Sequence, residues 1–301
     1  MLFGKYHFIC RLETESHLPS YKGSTFRGVF GRALKGVVCA LKLRDCAQCV
    51  LRERCLYMQV FETKASPHPF VIEPPLTNET YLSAGSSFAF DLLLFGQVND
   101  SLPYFIYAFK EMGKIGIGRK VNGQRGKFSL DEVLNEDTVI YSASSETISR
   151  VKLAAPLRLE DQYTFSKDEL RLRIRIITPL RLKYRNRLYA DLPFHVLTRA
   201  MLRRISSLME HYGKGEPSLD YRGLVKNAEK IEVVKRNLSW FDWRRYSNRQ
   251  DRGMLMGGLV GSVVYEGLIG PYLPLIRFCE KVHLGKQTTF GLGKFAMEVL
   301  E

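Results

Sequence analysis

The chain of 301 residues carries 45 Lys and Arg against 31 Asp and Glu, a formal charge of +14. That length fits two domains at ~100–200 residues each, and the charge excess favours a polyanionic partner. Hydrophobic residues at 45% and aromatic residues at 12% exclude a largely disordered protein. No apolar run reaches the ~18–20 residues of a membrane span, and Met1 to Cys10 lacks a signal-peptide core, so no membrane partner and a cytoplasmic setting are expected.

Lys5 to Leu12 reads as a strand, and after a turn at Pro19 to Gly23 the apolar positions Phe26, Val29, Phe30, Ala33, Leu34 and Val37 recur at helical spacing. Ser86 to Val98 reads as a long strand, followed by a helix from Pro103 to Met112, a glycine-rich stretch from Gly113 to Gly126, and a strand near Thr138 to Ser142 that closes this half. The second half begins with a strand at Glu169 to Thr178 and a helix from Pro193 to Tyr212. That helix has the apolar stripe Phe194, Leu197, Met201, Leu202, Ile205, Leu208 and Met209. Strands at Ile231 to Trp240 and Leu255 to Tyr265, a short helix at Pro271 to Phe278, and a final strand at Gly293 to Leu300 complete it.

This order predicts an α+β chain of tandem ferredoxin-like (RRM-like) domains, 1–150 and 165–301, joined between Ser144 and Ser166. A weak internal echo sets Gly116-Ile117-Gly118-Arg119 beside Gly291-Leu292-Gly293-Lys294.

Four cysteines, Cys39, Cys46, Cys49 and Cys55, cluster within 39–55 in the first domain, with Arg44, Arg52 and Arg54 among them. In a reducing compartment their spacing suits one structural zinc, with an iron–sulfur cluster or free thiols as alternatives.

Arg171, Arg173 and Arg175 alternate with Leu172, Ile174 and Ile176, which in a strand makes one face cationic and the other apolar. Arg181, Lys183, Arg185 and Arg187 extend the charge, and no acidic residue lies between Arg171 and Arg187. Nucleic-acid phosphate would neutralise such a face, and solvation is the alternative. His195, Arg199 and Arg203 form a polar row on the Pro193 helix. Trp240, Trp243 and Tyr246 interleave with Arg244, Arg245, Arg249 and Arg252, groups that stack on unpaired bases unless the tryptophans lie in the core. The loop Gly285 to Lys294 offers glycines, hydroxyls and two cations suited to an anion, without the spacing of a P-loop.

Leu18 to Gly31, followed by the cysteine cluster and Tyr57 to Glu62, resembles the start of one branch of the CRISPR repeat-processing RAMP endoribonucleases. Trp243 to Ser247, Gly257 to Gly267, His283 to Lys286 and Phe290 to Lys294 resemble that family's C-terminal domain. The resemblance implies tandem ferredoxin-like domains and precursor CRISPR RNA as substrate. It implies cleavage without a metal cofactor, by attack of a ribose 2′-hydroxyl on the adjacent phosphate to leave a 2′,3′-cyclic phosphate. Other CRISPR effector subunits are implied partners.

Many members carry a histidine on or near the first helix; Phe26 to Val37 has none, and His17 lies just upstream. The candidate acid–base set is therefore His283, His17, Tyr21 and Lys22. The candidate RNA-binding set is Arg27, Arg119, Arg171, Arg173, Arg175, Arg199, Arg203, Gly285, Lys286, Gly291, Gly293 and Lys294. A non-catalytic RAMP subunit that holds guide RNA is the alternative function, and a zinc-containing RNA-binding protein unrelated to CRISPR is a third.

Overall fold

The computed structural model describes residues 1–42, 45–63, 67–149, 154–159, 169–184, 187–188, 191–247 and 252–300. It divides into two units, Leu2–Pro156 and Leu157–Glu301, the latter including Met1. Among the described residues no helix is long and apolar enough to cross a membrane.

In the first unit β1 (Leu2–Leu12) is followed by α1 (Gly23–Val38), β2 (Phe70–Glu73), β3 (Ser87–Phe95), α2 (Leu102–Ile115), β4 (Phe128–Asn135) and β5 (Thr138–Ser142). The antiparallel sheet runs β2-β3-β1-β4-β5, so the first four strands take the ferredoxin-like order. Tyr6, Phe8, Cys10 and Leu12 alternate onto the helix-covered face of β1. There Phe30 stacks on Phe109 at 4.4 Å, and Phe8 meets Phe90 at 4.9 Å and Phe109 at 4.7 Å. Two strands depart from the expected pattern. β2 is buried at all four positions and shows no alternation. The strand that completes the ferredoxin order is β4, and Thr138–Ser142 only extends the sheet beyond it.

The second unit contains β6 (Leu170–Leu180), α3 (Phe194–Tyr212), α4 (Tyr221–Ala228), β7 (Glu232–Ser247), β8 (Arg252–Gly267), α5 (Leu273–Val282) and β9 (Phe295–Leu300). Its sheet runs β7-β8-β6-β9, again ferredoxin-like and antiparallel. α3 forms because its apolar residues return every three or four positions, and Phe194, Leu197, Met201, Leu202, Ile205 and Leu208 are all buried. Phe194 packs edge-on against Tyr265 at 4.9 Å and Tyr272 at 5.0 Å.

One backbone device ends α2 in the first unit and α5 in the second. Gly116 stops α2 at φ 80°, ψ 158°, and is followed by buried Ile117 and by Gly118 at φ 84°. His283 stops α5 at φ 59°, ψ 158°, and is followed by buried Leu284 and by Gly285 at φ 89°. Ten residues after each stop comes the same tripeptide, Gly126-Lys127-Phe128 and Gly293-Lys294-Phe295. The lysine N–H donates to Thr14 Oγ1 in one unit and Thr178 Oγ1 in the other, each at 2.8 Å. The lysine carbonyl accepts from Glu13 and Thr14 in the first, and from Ile177 and Thr178 in the second. The internal echo is real but its register differs from the expected one: Gly116 matches His283, and Gly126 matches Gly293.

Candidate nucleic-acid interface

The site assembles in the second unit where three segments meet. α3 presents Arg199 and Arg203 because they stand off its apolar stripe. Arg181 and Lys183 follow the end of β6, and the loop after α5 brings Gly285 and Lys286. Together they line a groove of about 600 Å³, which Arg204 also enters, and none of the described residues lining it is acidic. A second depression of about 480 Å³ shares Arg199 and Arg203, continues to Arg222 and Lys226 on α4, and is lined by Glu216 and Glu229 as well.

The loop is held from inside. Lys286 N–H donates to the Arg181 carbonyl at 2.9 Å, Gly293 N–H to Pro179 at 3.2 Å, and Thr178 Oγ1–H to the Gly291 carbonyl at 2.7 Å. A side chain at Gly285 would begin 2.6 Å from the Arg181 carbonyl oxygen, and one at Gly293 only 1.8 Å from that of Leu284. These glycines exist so that backbone can pack on backbone. Gly291 and Gly293 are buried, and their N–H groups are bonded to the Thr288 and Pro179 carbonyls. The close approach to phosphate expected of all three glycines is therefore open only to Gly285. Lys294 is half-buried in the same frame.

Arg204 was not among the expected site residues. Its Nε and Nη2 donate to the carbonyls of His283 and Val282 at 3.2 and 2.8 Å, satisfying the open end of α5. Burial pulls its guanidinium pKa down to about 10, still charged at neutral pH. Burial also lowers that of Arg181, whose Nη1 donates to the Gly257 carbonyl, while Asp242 opposes the shift.

The arginine row on β6 differs from expectation. Arg171 is ion-paired with Glu266, and Arg173 with Glu298 at 2.7 Å, because these acids lie directly opposite them in the ladder. Cross-strand acids supply the neutralisation that the local sequence lacks. Arg175 faces Ser262 and Ala296 and is exposed. Trp243 is buried with Phe241 stacked on it at 5.8 Å, and Trp240 is partly exposed with its Nε1–H bonded to Asp242. Arg185, Arg249 and the side chains of Arg187, Arg244, Arg245, Tyr246 and Arg252 lie outside the described residues.

Of the candidate acid–base residues, His17, Tyr21 and Lys22 belong to the first unit and His283 to the second. His283 is fully buried, with ring Nδ1 3.0 Å from the Leu292 carbonyl, so its imidazole has no open path to a ribose or phosphate. Tyr21 is buried, and burial, reinforced by Glu73, pushes its phenol well above the ordinary range. Lys22 is buried with Nζ donating to the carbonyls of Thr77 at 2.5 Å and Ser20 at 3.4 Å, and desolvation lowers its pKa. Its ammonium clips two loops together. His17 is half-exposed, its ring edge-on to Tyr81 at 5.1 Å, and Arg119 is its exposed partner across the ladder. Arg27 lies over the Phe61 ring at 4.9 Å.

The four cysteines lie along the segment from the end of α1 to the helix Leu56–Phe61. Cys39 ends α1, Cys55 precedes the helix Leu56–Phe61, and Cys46 and Cys49 lie in turns closed by backbone hydrogen bonds. Among the described residues no three Cys, His, Asp or Glu side chains come together as a metal-binding group, so the geometry does not support zinc.

Residues 174–295 match the family of the CRISPR-associated endoribonuclease Cas6, and residues 1–153 match a family described as an N-terminal domain. An uncharacterized protein of Archaeoglobus fulgidus is 25% identical over 294 residues, covering 93% of this chain and 92% of that protein. Among solved structures, Cas6 of Thermus thermophilus superposes with a TM-score of 0.58 at 12% identity, over 99% of this chain and 98% of the other. A Cas6 product complex superposes with a TM-score of 0.51 at 19% identity, over 99% and 100%. At these identities the structural likeness is one of fold.

Proposed function

Since the chain belongs to the CRISPR-associated endoribonuclease Cas6 family of RAMP-type proteins, we propose that it binds the repeat of precursor CRISPR RNA along the cationic groove and cuts that RNA. The observation that carries this reading is the groove itself, where Arg181, Lys183, Arg199, Arg203, Arg204 and Lys286 converge with no acid among its described lining residues. Cations gathered along one groove suit a polyanion, and RNA phosphates supply the complementary charge. The solved product complex of a Cas6 is in keeping with the same role.

Chemistry follows from the first unit. Attack by a ribose 2′-hydroxyl needs a base, and loss of the 5′-oxygen needs an acid. We assign one of these tasks to His17, the candidate side chain open to solvent, and charge stabilisation to Arg119 across the ladder from it. The products would be a 2′,3′-cyclic phosphate and a 5′-hydroxyl, with no metal in the step.

Incubation of cognate repeat RNA with the protein in EDTA tests this. One discrete cut with a cyclic phosphate end is expected, and cleavage that requires an added divalent ion would overturn the mechanism. A second reading, a non-catalytic subunit holding guide RNA with other CRISPR proteins, draws on the burial of Tyr21, Lys22 and His283. Tight repeat binding without any cut would select it.

A further inference from the structure

His283 has a backbone conformation that glycine holds at the matching place in the first unit, φ 59°, ψ 158° against 80°, 158° at Gly116. Side chains are rarely tolerated there. The first unit builds its loop with glycine at this point, so the device does not need an imidazole to fold. What the imidazole adds is a link. Its Nδ1 lies 3.0 Å from the Leu292 carbonyl, and a carbonyl only accepts, so the ring donates as the Nδ1–H form. Leu284 N–H reaches the Gly293 carbonyl at 3.0 Å alongside. The outgoing limb, which carries Gly285 and Lys286 into the groove, is thereby tied to the limb that returns to β9. Arg204 grips the carbonyls of Val282 and His283 from α3, the helix that also displays Arg199 and Arg203.

We infer that His283 is a positioning residue for RNA: with Arg204 it fixes the loop after α5 against α3, so that Gly285 and Lys286 meet a phosphate in one geometry with Arg199 and Arg203. The inference rests on the groove being the RNA-binding surface. Because the imidazole is buried, it acts through the loop and never touches RNA.

The experiment compares His283→Gly, His283→Asn and the pair Arg203→Ala, Lys286→Ala in the full chain. It follows thermal unfolding, repeat-RNA affinity, and cleavage at saturating protein. Glycine accepts the backbone, so His283→Gly should unfold near the wild-type temperature yet bind RNA about tenfold more weakly, the worth of roughly one positioned hydrogen bond. Asparagine tolerates left-handed backbone and carries an amide N–H, so it should recover most of the affinity. The cleavage rate at saturation should stay at the wild-type value in both.

Wild-type affinity in His283→Gly would overturn the inference, as would an Asn variant no better than Gly. Lost cleavage at full binding would make the residue catalytic instead, and a His283→Gly chain that fails to fold would make it a fold determinant. If Arg203→Ala, Lys286→Ala binds like the wild type, the groove reading itself fails, an outcome separate from the others.

Discussion

The loops Gly116–Gly126 and His283–Gly293 share a frame and differ in contents. In both, a helix stops at positive φ, a buried apolar residue follows, and a Gly-Lys-Phe step returns the chain to the sheet on matching threonine bonds. Between these fixed ends the first loop is a small hairpin turning at Asn122-Gly123, φ 50° and 81°, an arrangement that suits a type I′ turn and leaves Arg119 and Lys120 in solvent. The second instead folds inward on the 3₁₀ turn Thr288–Phe290, with Thr288 and Thr289 buried, and its one projecting cation joins those of α3. The scaffold is duplicated, and the groove described above lies beside the second copy of the loop. In the second unit the helix beside the loop sets Arg199 and Arg203 along the same groove as Lys286.

The sharpest way to break this comparison is to remove charge from each loop's surroundings. Arg199→Ala, Arg203→Ala and Lys286→Ala together should weaken repeat-RNA binding about a thousandfold, roughly tenfold per lost phosphate contact, and lower the salt slope of binding by about 2. Arg119→Ala with Lys120→Ala should cost about tenfold or less. Equal losses would mean that both units bind RNA alike.

Glycine substitutions sharpen the structural half of the comparison. Gly293→Ala would set a Cβ 1.8 Å from the Leu284 carbonyl oxygen at φ 75°, and should destabilise the second unit by about 3 kcal/mol. Gly123 also has positive φ, but a Cβ there meets open space, so Gly123→Ala should cost only about 1 kcal/mol. Urea unfolding of the two variants measures both; similar midpoints would show that backbone angle alone, rather than close packing, sets the requirement for glycine.

Elements whose pattern is local could be read from the sequence. The stripe of α3 and the alternation of β6 needed no partner to be recognised, and the charges at Arg199 and Arg203 followed from helical spacing. β2 escaped because four buried residues between Pro69 and Pro74 show no alternation. β4 escaped because Ser129, Asp131 and Glu132 interrupt its apolar positions and a register shift opposite Ile9 and Cys10 breaks the period. The site was half legible for a related reason. The partners of Arg171 and Arg173 lie 95 and 125 residues away, and nothing local announces them. Arg204 points to the end of α5, a contact that only the packed fold creates. The repeated Gly-Lys-Phe tripeptide was a usable signal for the duplicated frame, since it recurs at the same distance from each helix end.

If binding belongs to the second unit and acid–base chemistry to the first, the two should separate by mutation. His17→Ala should slow single-turnover cleavage about a hundredfold, near the lower bound for a lost acid or base, while repeat-RNA affinity holds. Cleavage at the wild-type rate would place the proton transfer elsewhere.

The smallest effect concerns the threonines that anchor the duplicated frame. Thr178 is 2% exposed, its hydroxyl accepting from Lys294 N–H at 2.8 Å and donating to the Gly291 carbonyl at 2.7 Å. Thr178→Val keeps the shape but leaves a donor and an acceptor without their partner in a site that water does not reach freely, which should cost about 2 kcal/mol. Thr14 makes the matching bond to Lys127 N–H from a half-exposed position, and water can replace its hydroxyl. Thr14→Val should therefore cost about 0.5 kcal/mol or less. The difference in unfolding free energy between the two valine variants is the quantity to measure. A large gap would mean that the same hydrogen bond matters more in the second unit because the loop has closed over it, and that this closure is what holds Gly285 and Lys286 at the groove. Equal costs would mean that the frame is energetically the same in both units, and that the groove owes its form to α3 alone.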